Sequence, residues 1–347
     1  MMTEFTCPIP LAEYPRVLLA HGGGGRLTQH LIEKMLYPSF ENPLLVPLHD
    51  GAVLPPDGGR LAFTTDSYVV QPLFFPGGDI GRLSVHGTAN DLAMCGARPL
   101  FISCGLILEE GLPMEDLWRV IVSIREAAAE AGVQVVTGDT KVVDKGKGDG
   151  VFINTSGIGA LLPGLDVGPH RLRPGDEIVV SGPIGLHGIA IMALREGIDL
   201  ETEIRSDTAS VYPLVEALAT AGLDVHMLRD PTRGGVSSAL NEMAKRSGVG
   251  VVLDEEALPI PAEVEAVCEI LGLDPLYVAN EGNFLALVAE GQGTRALETI
   301  RRHPLGARAA LVGRVTAGHP GVVVMRTKIG GQRVVDMMSG EQLPRIC

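Results

Sequence analysis

Four aspartates stand in short motifs in the first half of the 347-residue chain, each beside glycine, threonine, asparagine or serine. They are Asp50 in HDGAV, Asp66 in TTDSYVV, Asp91 in GTANDLAMCGA and Asp139 in TGDTKVV. Carboxylates at the ends of strands and helices can converge on Mg2+, which prefers oxygen ligands and shares its remaining positions with phosphates. A single aspartate of this kind is typical of a turn or a cap. The recurrence of four favours a metal and phosphate site.

Two further features of the first half fit phosphate chemistry. The run from His21 to Gly25 precedes a predicted helix, and bare N–H groups at that position bind anions, although a flexible turn explains the run equally well. Lys141 follows Asp139 by two residues, where it can reach a phosphate or act as a base, or simply be solvated. No GxxxxGK[ST] motif is present, so the pattern excludes a P-loop.

The second half contributes two candidate segments. The run beginning at Asp230, DPTRGG, predicts a turn with exposed N–H groups that leads into a helix. The run NEG places Glu281 in a loop just before a predicted strand. A surface glutamate is the ordinary interpretation of such a residue, and a general base is the functional one.

The chain ends on a cysteine, Cys347, in the run PRIC. A thiol at a chain terminus can leave the protein body and enter the pocket of another enzyme, as a carrier nucleophile must. An accidental cysteine on a frayed end is the alternative. The five cysteines form no CxxC pair, which favours reduced thiols and a cytoplasmic protein.

Composition narrows the class of protein. The net charge of −14 and the 4% aromatic content argue against a nucleic-acid partner. No apolar run approaches the roughly 20 residues that span a membrane, so no membrane association is expected. The length and the 46% hydrophobic content predict two cores.

Short apolar runs alternate with helical periodicity along the whole chain, which predicts an α/β (α+β) fold. The Pro- and Gly-rich segment 163–175 predicts a boundary between a domain over residues 1–165 and a second over 166–336. Residues 337–347 are predicted to form a mobile tail. Among the individual elements, a helix is predicted over 114–131, a strand over 151–161 and a helix over 207–221.

Taken together and in order, these motifs and the terminal PRIC resemble the HypE family, the carbamoyl-dehydrating maturation proteins of [NiFe]-hydrogenase. The resemblance implies the two-domain aminoimidazole ribonucleotide synthetase-like fold, with an N-terminal sheet that pairs in a homodimer. It implies ATP and Mg2+ as cofactors, with Asp50, Asp66, Asp91 and Asp139 as metal ligands. ATP would be bound by His21, Gly22, Gly23, Gly24, Gly25, Asp50, Asp66, Asn90, Asp91, Asp139, Thr140 and Asn154.

The resemblance also implies a reaction and its partners. A carbamoyltransferase (HypF) would load a carbamoyl group onto Cys347, and ATP-dependent dehydration would convert it to a thiocyanate. Cyanide would then pass to iron on a HypC–HypD scaffold. Lys141 and Glu281 are the two candidates for the base. The alternatives are an enzyme similar to selenophosphate synthetase and a nucleotide-dependent scaffold without catalysis.

Overall fold

The computed structural model of the chain describes residues 15–18, 31–43, 60–198, 204–337 and 346–347. Two β-sheets, each with helices packed against it, make up most of these residues. The predicted α/β class is confirmed. No helix in the described ranges is long and apolar enough to cross a membrane.

The N-terminal sheet has four strands in the order β1-β6-β4-β5. Strand β4 pairs in parallel with β5 and antiparallel with β6, which also pairs antiparallel with β1. Two short strands, β2 and β3, form a separate ribbon. The bounds are β1 Leu61–Tyr68, β2 Phe74–Phe75, β3 Gly78–Asp79, β4 Ala97–Glu109, β5 Gln134–Val143 and β6 Val151–Leu161.

Helices cover one face of this sheet. A π-helical turn, Ile32–Leu36, continues into the short helix α1 (Tyr37–Phe40), and two longer helices follow: α2 (Ile80–Met94) and α3 (Met114–Ala131). Asp79 caps α2 by accepting hydrogen bonds from the Gly81 and Arg82 amides at 2.8 and 3.0 Å. Helix α3 has an apolar stripe against the sheet and ends at Gly132, whose φ of 69° permits the left-handed cap.

The C-terminal sheet has seven strands in the order β13-β12-β9-β11-β7-β10-β8, all antiparallel except the β9–β12 pair. Apolar clusters fill both of its faces. The strands are β7 Glu177–Val180, β8 Val225–Arg229, β9 Gly250–Asp254, β10 Leu285–Val288, β11 Ala310–Thr316, β12 Val323–Arg326 and β13 Gln332–Val334. The helices are α4 Leu186–Glu196, α5 Tyr212–Thr220, α6 Gly235–Ser247, α7 Ala262–Leu271 and α8 Gly293–Arg301.

Residues 204–210, which lie between α4 and α5, contact the N-terminal part of the chain and are called the strap below. The Ser206 amide donates to the Pro76 carbonyl at 2.8 Å. The Asn90 side chain, on α2, donates to the Ala209 carbonyl and accepts from the Val211 amide, both at 2.9 Å. The strap therefore holds the C-terminal part of the chain against helix α2.

The helix predicted over 207–221 is wrong in its first turn, because the observed helix begins at Tyr212. Asp207 does not start a helix; its carboxylate accepts hydrogen bonds from the amides of residues 281 and 282 instead. Strand β8 was not predicted at all. By contrast, the predicted bounds of α3 and β6 agree with the structure.

Candidate active site

A small cavity of about 30 Å³ lies between the two parts of the fold. Its walls come from β1, from helix α2, from the loop that follows β8, from the loop before β10 and from the last residue of the chain. The residues that line it are Asp66, Ser67, Tyr68, Gly87, Asp91, Asp230, Thr232, Arg233, Glu281 and Cys347. Four of the predicted site residues (Asp66, Asp91, Glu281 and Cys347) thus meet in one cavity.

Helix α2 brings Asp91 to strand β1 because it packs unusually close to that strand. A Cβ atom on Gly87 would lie only 2.3 Å from the Tyr68 hydroxyl, so a side chain there would push the helix away. At this separation the Thr64 hydroxyl donates to Asp91 Oδ2 at 2.9 Å. Asp66 lies two residues further along the same strand.

Negative charge accumulates at this point. Burial, together with the nearby charge of Asp230, raises the pKa of Asp91 to about 7. Burial also raises the pKa of Asp230 itself. Such shifts arise where carboxylates share a site that water screens poorly, and they mark a place where a cation or a proton is needed.

The loop that carries Glu281 is fixed by the strap. Asp207 accepts hydrogen bonds from the amides of Glu281 and Gly282, at 3.1 and 3.2 Å. A Cβ atom on Gly282 would lie 1.7 Å from the Asp207 carbonyl oxygen, so the close approach requires glycine. Asn280 Nδ2 donates to the Pro231 carbonyl at 2.9 Å, which joins the loop to the DPTRGG turn.

Glu281 itself is 4% exposed. Burial, followed by the charges of Asp230 and Asp207, raises its pKa well above the usual value for a glutamate. Its Oε1 atom has no hydrogen-bond partner in the part of the chain that the structure describes. A buried carboxylate with a raised pKa and a free acceptor atom is suited to receive a proton.

The terminal Cys347 is half-buried and its thiol lies beside the Glu281 carboxylate. Burial, and then the charge of Glu281, raise the pKa of the thiol well above its usual value, while Arg233 acts in the opposite direction. Ile346 is 2% exposed and packs in the N-terminal core. The last two residues of the chain are therefore docked in the site.

Lys141 and Asp139 do not line this cavity. Their side chains are 65% and 72% exposed and lie 3.6 Å apart on β5. Ser67, Asn154, Gly105 and Asp139 are paired in register across the four strands, so Asp139 lies three strand spacings, roughly 14 Å, from β1. Of the predicted acids that the structure describes, Asp66 and Asp91 are thus half-buried in the cavity and Asp139 is exposed elsewhere.

The structure also describes three other residues that were predicted to contact the nucleotide. Asn154 Nδ2 donates to the Asp66 carbonyl and to the Ser67 hydroxyl, each at 2.9 Å. Asn90 ties α2 to the strap, as described above, and its Nδ2 also donates to the Glu281 carbonyl at 3.3 Å. Thr140 is buried in β5. The remaining predicted residues, His21 to Gly25 and Asp50, lie outside the described residues.

No group of three or more histidine, cysteine or acidic side chains within the described ranges is arranged to hold a metal ion. Mg2+ does not require one, because it is often bound by one or two carboxylates together with substrate phosphates and water. The crowded carboxylates Asp66 and Asp91 fit such a partial site. The raised pKa of Asp91 reflects its burial and the repulsion between neighbouring carboxylates, which a hard cation would reduce.

Six cavity residues were not among the predicted site residues: Ser67, Tyr68, Gly87, Asp230, Thr232 and Arg233. The DPTRGG motif signals the last three, but only as a turn before a helix. Their approach to Glu281 depends on contacts between distant segments, such as that of Asn280 with Pro231. A single sequence does not reveal such contacts.

Family models place the chain in a known superfamily. The model described as "AIR synthase related protein, N-terminal domain" matches residues 48–161. The model of the C-terminal domain matches residues 173–326. Together the two matches cover most of the chain, including every described residue that lines the cavity except Cys347.

Comparisons with individual relatives identify the family within this superfamily. The carbamoyl dehydratase HypE of Cupriavidus necator is 52% identical over 333 residues, which cover 96% of this chain and 95% of the relative. A crystal structure of hydrogenase maturation protein HypE in complex with ATP is 48% identical, with a TM-score of 0.92, and covers 95% of this chain and 99% of its own. A HypE–HypF complex is 46% identical, with a TM-score of 0.78, and covers 89% and 99%. This chain therefore belongs to the HypE family of carbamoyl dehydratases, within the AIR synthase-related superfamily.

Proposed function

We propose that this protein is an ATP-dependent carbamoyl dehydratase of [NiFe]-hydrogenase maturation that acts on its own C-terminal cysteine. The observation that carries the proposal is the docked Cys347, whose thiol contacts a buried, proton-accepting carboxylate in an acidic cavity. A carbamoyl group on this sulfur would lie beside Glu281. The membership of the chain in the HypE family supports the same reaction.

In this reaction the carbonyl oxygen of the thiocarbamate takes the γ-phosphoryl group of ATP and leaves as phosphate. The nitrogen loses both of its protons, and the carbon ends in a nitrile with its bond to sulfur intact. Phosphorylation is needed because oxide is too poor a leaving group. ATP binding by a HypE structure that superposes on this chain with a TM-score of 0.92 supports the choice of nucleotide.

We assign the proton-accepting role to Glu281 rather than to Lys141. Glu281 contacts the sulfur that would carry the carbamoyl group, whereas Lys141 is exposed on β5 and does not line the cavity. Lys141 is better placed to contact the phosphates of a nucleotide that lies over the sheet. Asp66 and Asp91, with Asp50 as a further candidate, would hold Mg2+, which supplies positive charge to the phosphates. Asp139, at the opposite edge of the sheet from β1, would hold a second ion.

The partners follow from the same assignment. A carbamoyltransferase of the HypF type would load Cys347, in keeping with the HypE–HypF complex of a 46% identical relative. An iron-bearing HypC–HypD scaffold would receive the cyanide. The dispersed thiols fit a reaction in the cytoplasm, where cysteines stay reduced.

A homodimer is part of the proposal. The face of the N-terminal sheet opposite α2 and α3 exposes large apolar side chains, with Phe63 68%, Leu61 59% and Ile107 42% exposed. None of the described helices covers this face. Large apolar side chains exposed on an uncovered sheet face favour a partner surface, and a second copy of the sheet fits it.

One experiment tests the central claim. The protein is loaded with a HypF-type transferase and carbamoyl phosphate, freed of both, and then given ATP; the C-terminal peptide is analysed by mass spectrometry. We expect the carbamoyl adduct to lose one water. Cys347→Ala should carry no adduct while it still binds ATP, and Cys95→Ala, which removes an exposed thiol, should behave like the wild type. A carbamoyl adduct that ATP leaves unchanged would refute the dehydratase function.

A further inference from the structure

The docked end of the chain is held through its backbone as well as through its thiol. The Ile346 carbonyl oxygen lies 2.8 Å from Nε2 of His187, in the first turn of α4. Both residues are almost completely buried, His187 at 0% and Ile346 at 2% exposed. A hydrogen bond in such a place is costly to lose, because the carbonyl would be left without a partner.

The tautomer of His187 follows from its contacts. A carbonyl oxygen only accepts hydrogen bonds, so Nε2 carries the proton and donates it to Ile346. Nδ1 is then an acceptor, and its partner at 2.8 Å is the hydroxyl of Ser206. Ser206 Oγ in turn lies 2.6 Å from the Thr208 hydroxyl. Burial lowers the pKa of His187 to about 4, which keeps the ring neutral at physiological pH.

Ser206 and Thr208 belong to the strap, and the residue between them is Asp207, which fixes the Glu281 loop. One short segment therefore contacts both the side chain that holds the tail and the loop that carries the proposed base. We propose that His187 is a positioning residue that docks the C-terminal tail by hydrogen bonding to the Ile346 carbonyl, with Ser206 selecting its tautomer. This inference rests on the proposed function, because the docked tail would be the substrate.

The first test measures how often the tail leaves its site. Wild type, His187→Phe and His187→Gln are treated with iodoacetamide, and alkylation of Cys347 is followed in the peptide released after Glu341. His187→Phe keeps a ring but has no donor, so Cys347 should react about ten-fold faster, the effect of losing one buried hydrogen bond. His187→Gln places an amide donor near the position of Nε2 and should restore much of the protection.

The comparison of His187→Phe with His187→Gln distinguishes a hydrogen-bonding role of His187 from a packing role. His187 contacts Phe75 edge to face, with ring centroids 5.5 Å apart, so a packing role would make Phe the better replacement. The buried thiols Cys104 and Cys268 are internal controls and should stay unreactive in a folded variant. An unchanged Cys347 rate in His187→Phe, or slower alkylation there than in His187→Gln, would overturn the proposal.

If His187→Phe also exposes Cys104 and Cys268, Ser206→Ala decides. It removes the donor to Nδ1 without a change in ring volume, and a wild-type Cys347 rate in that variant would count against the proposal. The second readout is the reaction of carbamoyl-loaded protein. His187→Phe should slow thiocyanate formation, whereas carbamoyl loading, which uses the undocked thiol, should not be slowed. If wild type forms no thiocyanate, the dehydratase function fails, and the alkylation rates still decide the role of His187.

Discussion

The thiol of Cys347 lies beside the carboxylate of Glu281, which is itself buried and has a raised pKa. Because burial and the charge of Glu281 both raise the pKa of the thiol, the docked sulfur is protonated. A protonated thiol is a poor nucleophile. The docked position therefore suits the dehydration of a group already on the sulfur, and acceptance of that group belongs to an undocked tail.

Glu281→Gln should separate the two steps. Glutamine keeps the shape of the side chain but cannot take a proton, so thiocyanate formation should fall by roughly 10²–10⁴-fold. Carbamoyl loading, which requires the undocked thiol, should stay near the wild-type rate. Single-turnover mass spectrometry of loaded protein measures both. Glu269→Gln, at an exposed position on α7, is the matched control and should match the wild type.

Lys141→Met tests the competing assignment of the base. If Lys141 contacts phosphate, this variant should bind ATP more weakly, and high ATP concentrations should restore most of the dehydration rate. If Lys141 takes the proton instead, saturating ATP will not restore the rate. The ATP dependence of thiocyanate formation is the measurement, and a large loss that persists at saturation contradicts the assignment to Glu281.

Asp91→Asn should stabilise the free protein at neutral and alkaline pH. The pKa of Asp91 is raised from 3.8 to about 7, so its ionisation opposes folding. That cost is absent below about pH 4, grows as the pH rises toward 7 and remains above it. At pH 8, without nucleotide and with a chelator present, the variant should gain about 1–2 kcal/mol in free energy of unfolding.

Urea unfolding at pH 4.5 and pH 8 checks the expected stability gain of Asp91→Asn, which should shrink at the lower pH. ATP hydrolysis by the same variant should fall, since it lacks a carboxylate of the proposed metal site. Asp144→Asn, at an exposed position, should change neither quantity. Equal free energies of unfolding for Asp91→Asn and wild type at pH 8 would mean that ionisation of Asp91 does not destabilise the folded protein.

Phe63→Asp should break the proposed homodimer, because it places a charge in the apolar face of the N-terminal sheet. Sedimentation of wild type and variant over a range of concentrations measures the change in mass. Ile270→Asp is a matched control, since Ile270 is also 68% exposed but lies on α7. A monomeric wild type, or an unaltered dimer in Phe63→Asp, would argue against pairing through this face.

Residues added after Cys347 should prevent docking. The cavity beside the thiol is only about 30 Å³ in volume, which leaves no room for a longer chain that keeps the same register. Two glycines appended at the C-terminus should therefore abolish thiocyanate formation, whereas the same two residues at the N-terminus should not. Normal turnover by the extended protein would show that the terminal position is incidental.

The elements with strong local signals could be predicted from sequence. Helix α3 has a regular apolar stripe and a terminal glycine, and its predicted bounds agree with the structure. Asp207 was assigned to a helix because local periodicity does not show that its carboxylate serves the amides of a distant loop. The first turn of the predicted helix is absent because Asp207 makes these tertiary hydrogen bonds instead.

The candidate site, like the fold, could be predicted only where the sequence carries a local signal. Asp66, Asp91, Glu281 and Cys347 could be selected because each stands in a recognisable motif, and the structure brings all four to one cavity. His187 has no motif, and its sequence neighbours give no sign of a role. Its hydrogen bond with Ile346 joins residues that are 159 positions apart, which only the folded chain reveals.

The carbonyl of Ile346, rather than any atom of the Cys347 side chain, is the group that His187 contacts. That carbonyl does not change during the reaction, so the same contact can dock the free, carbamoylated or cyanated thiol. Because the proposed substrate group is carried by Cys347 of the protein itself, its encounter with the site is unimolecular. Its effective concentration is set by the tail and does not fall when the protein is diluted. A reactive cyano group made in this way also stays covalently attached until a recipient removes it, so none need be lost by diffusion between the two proteins.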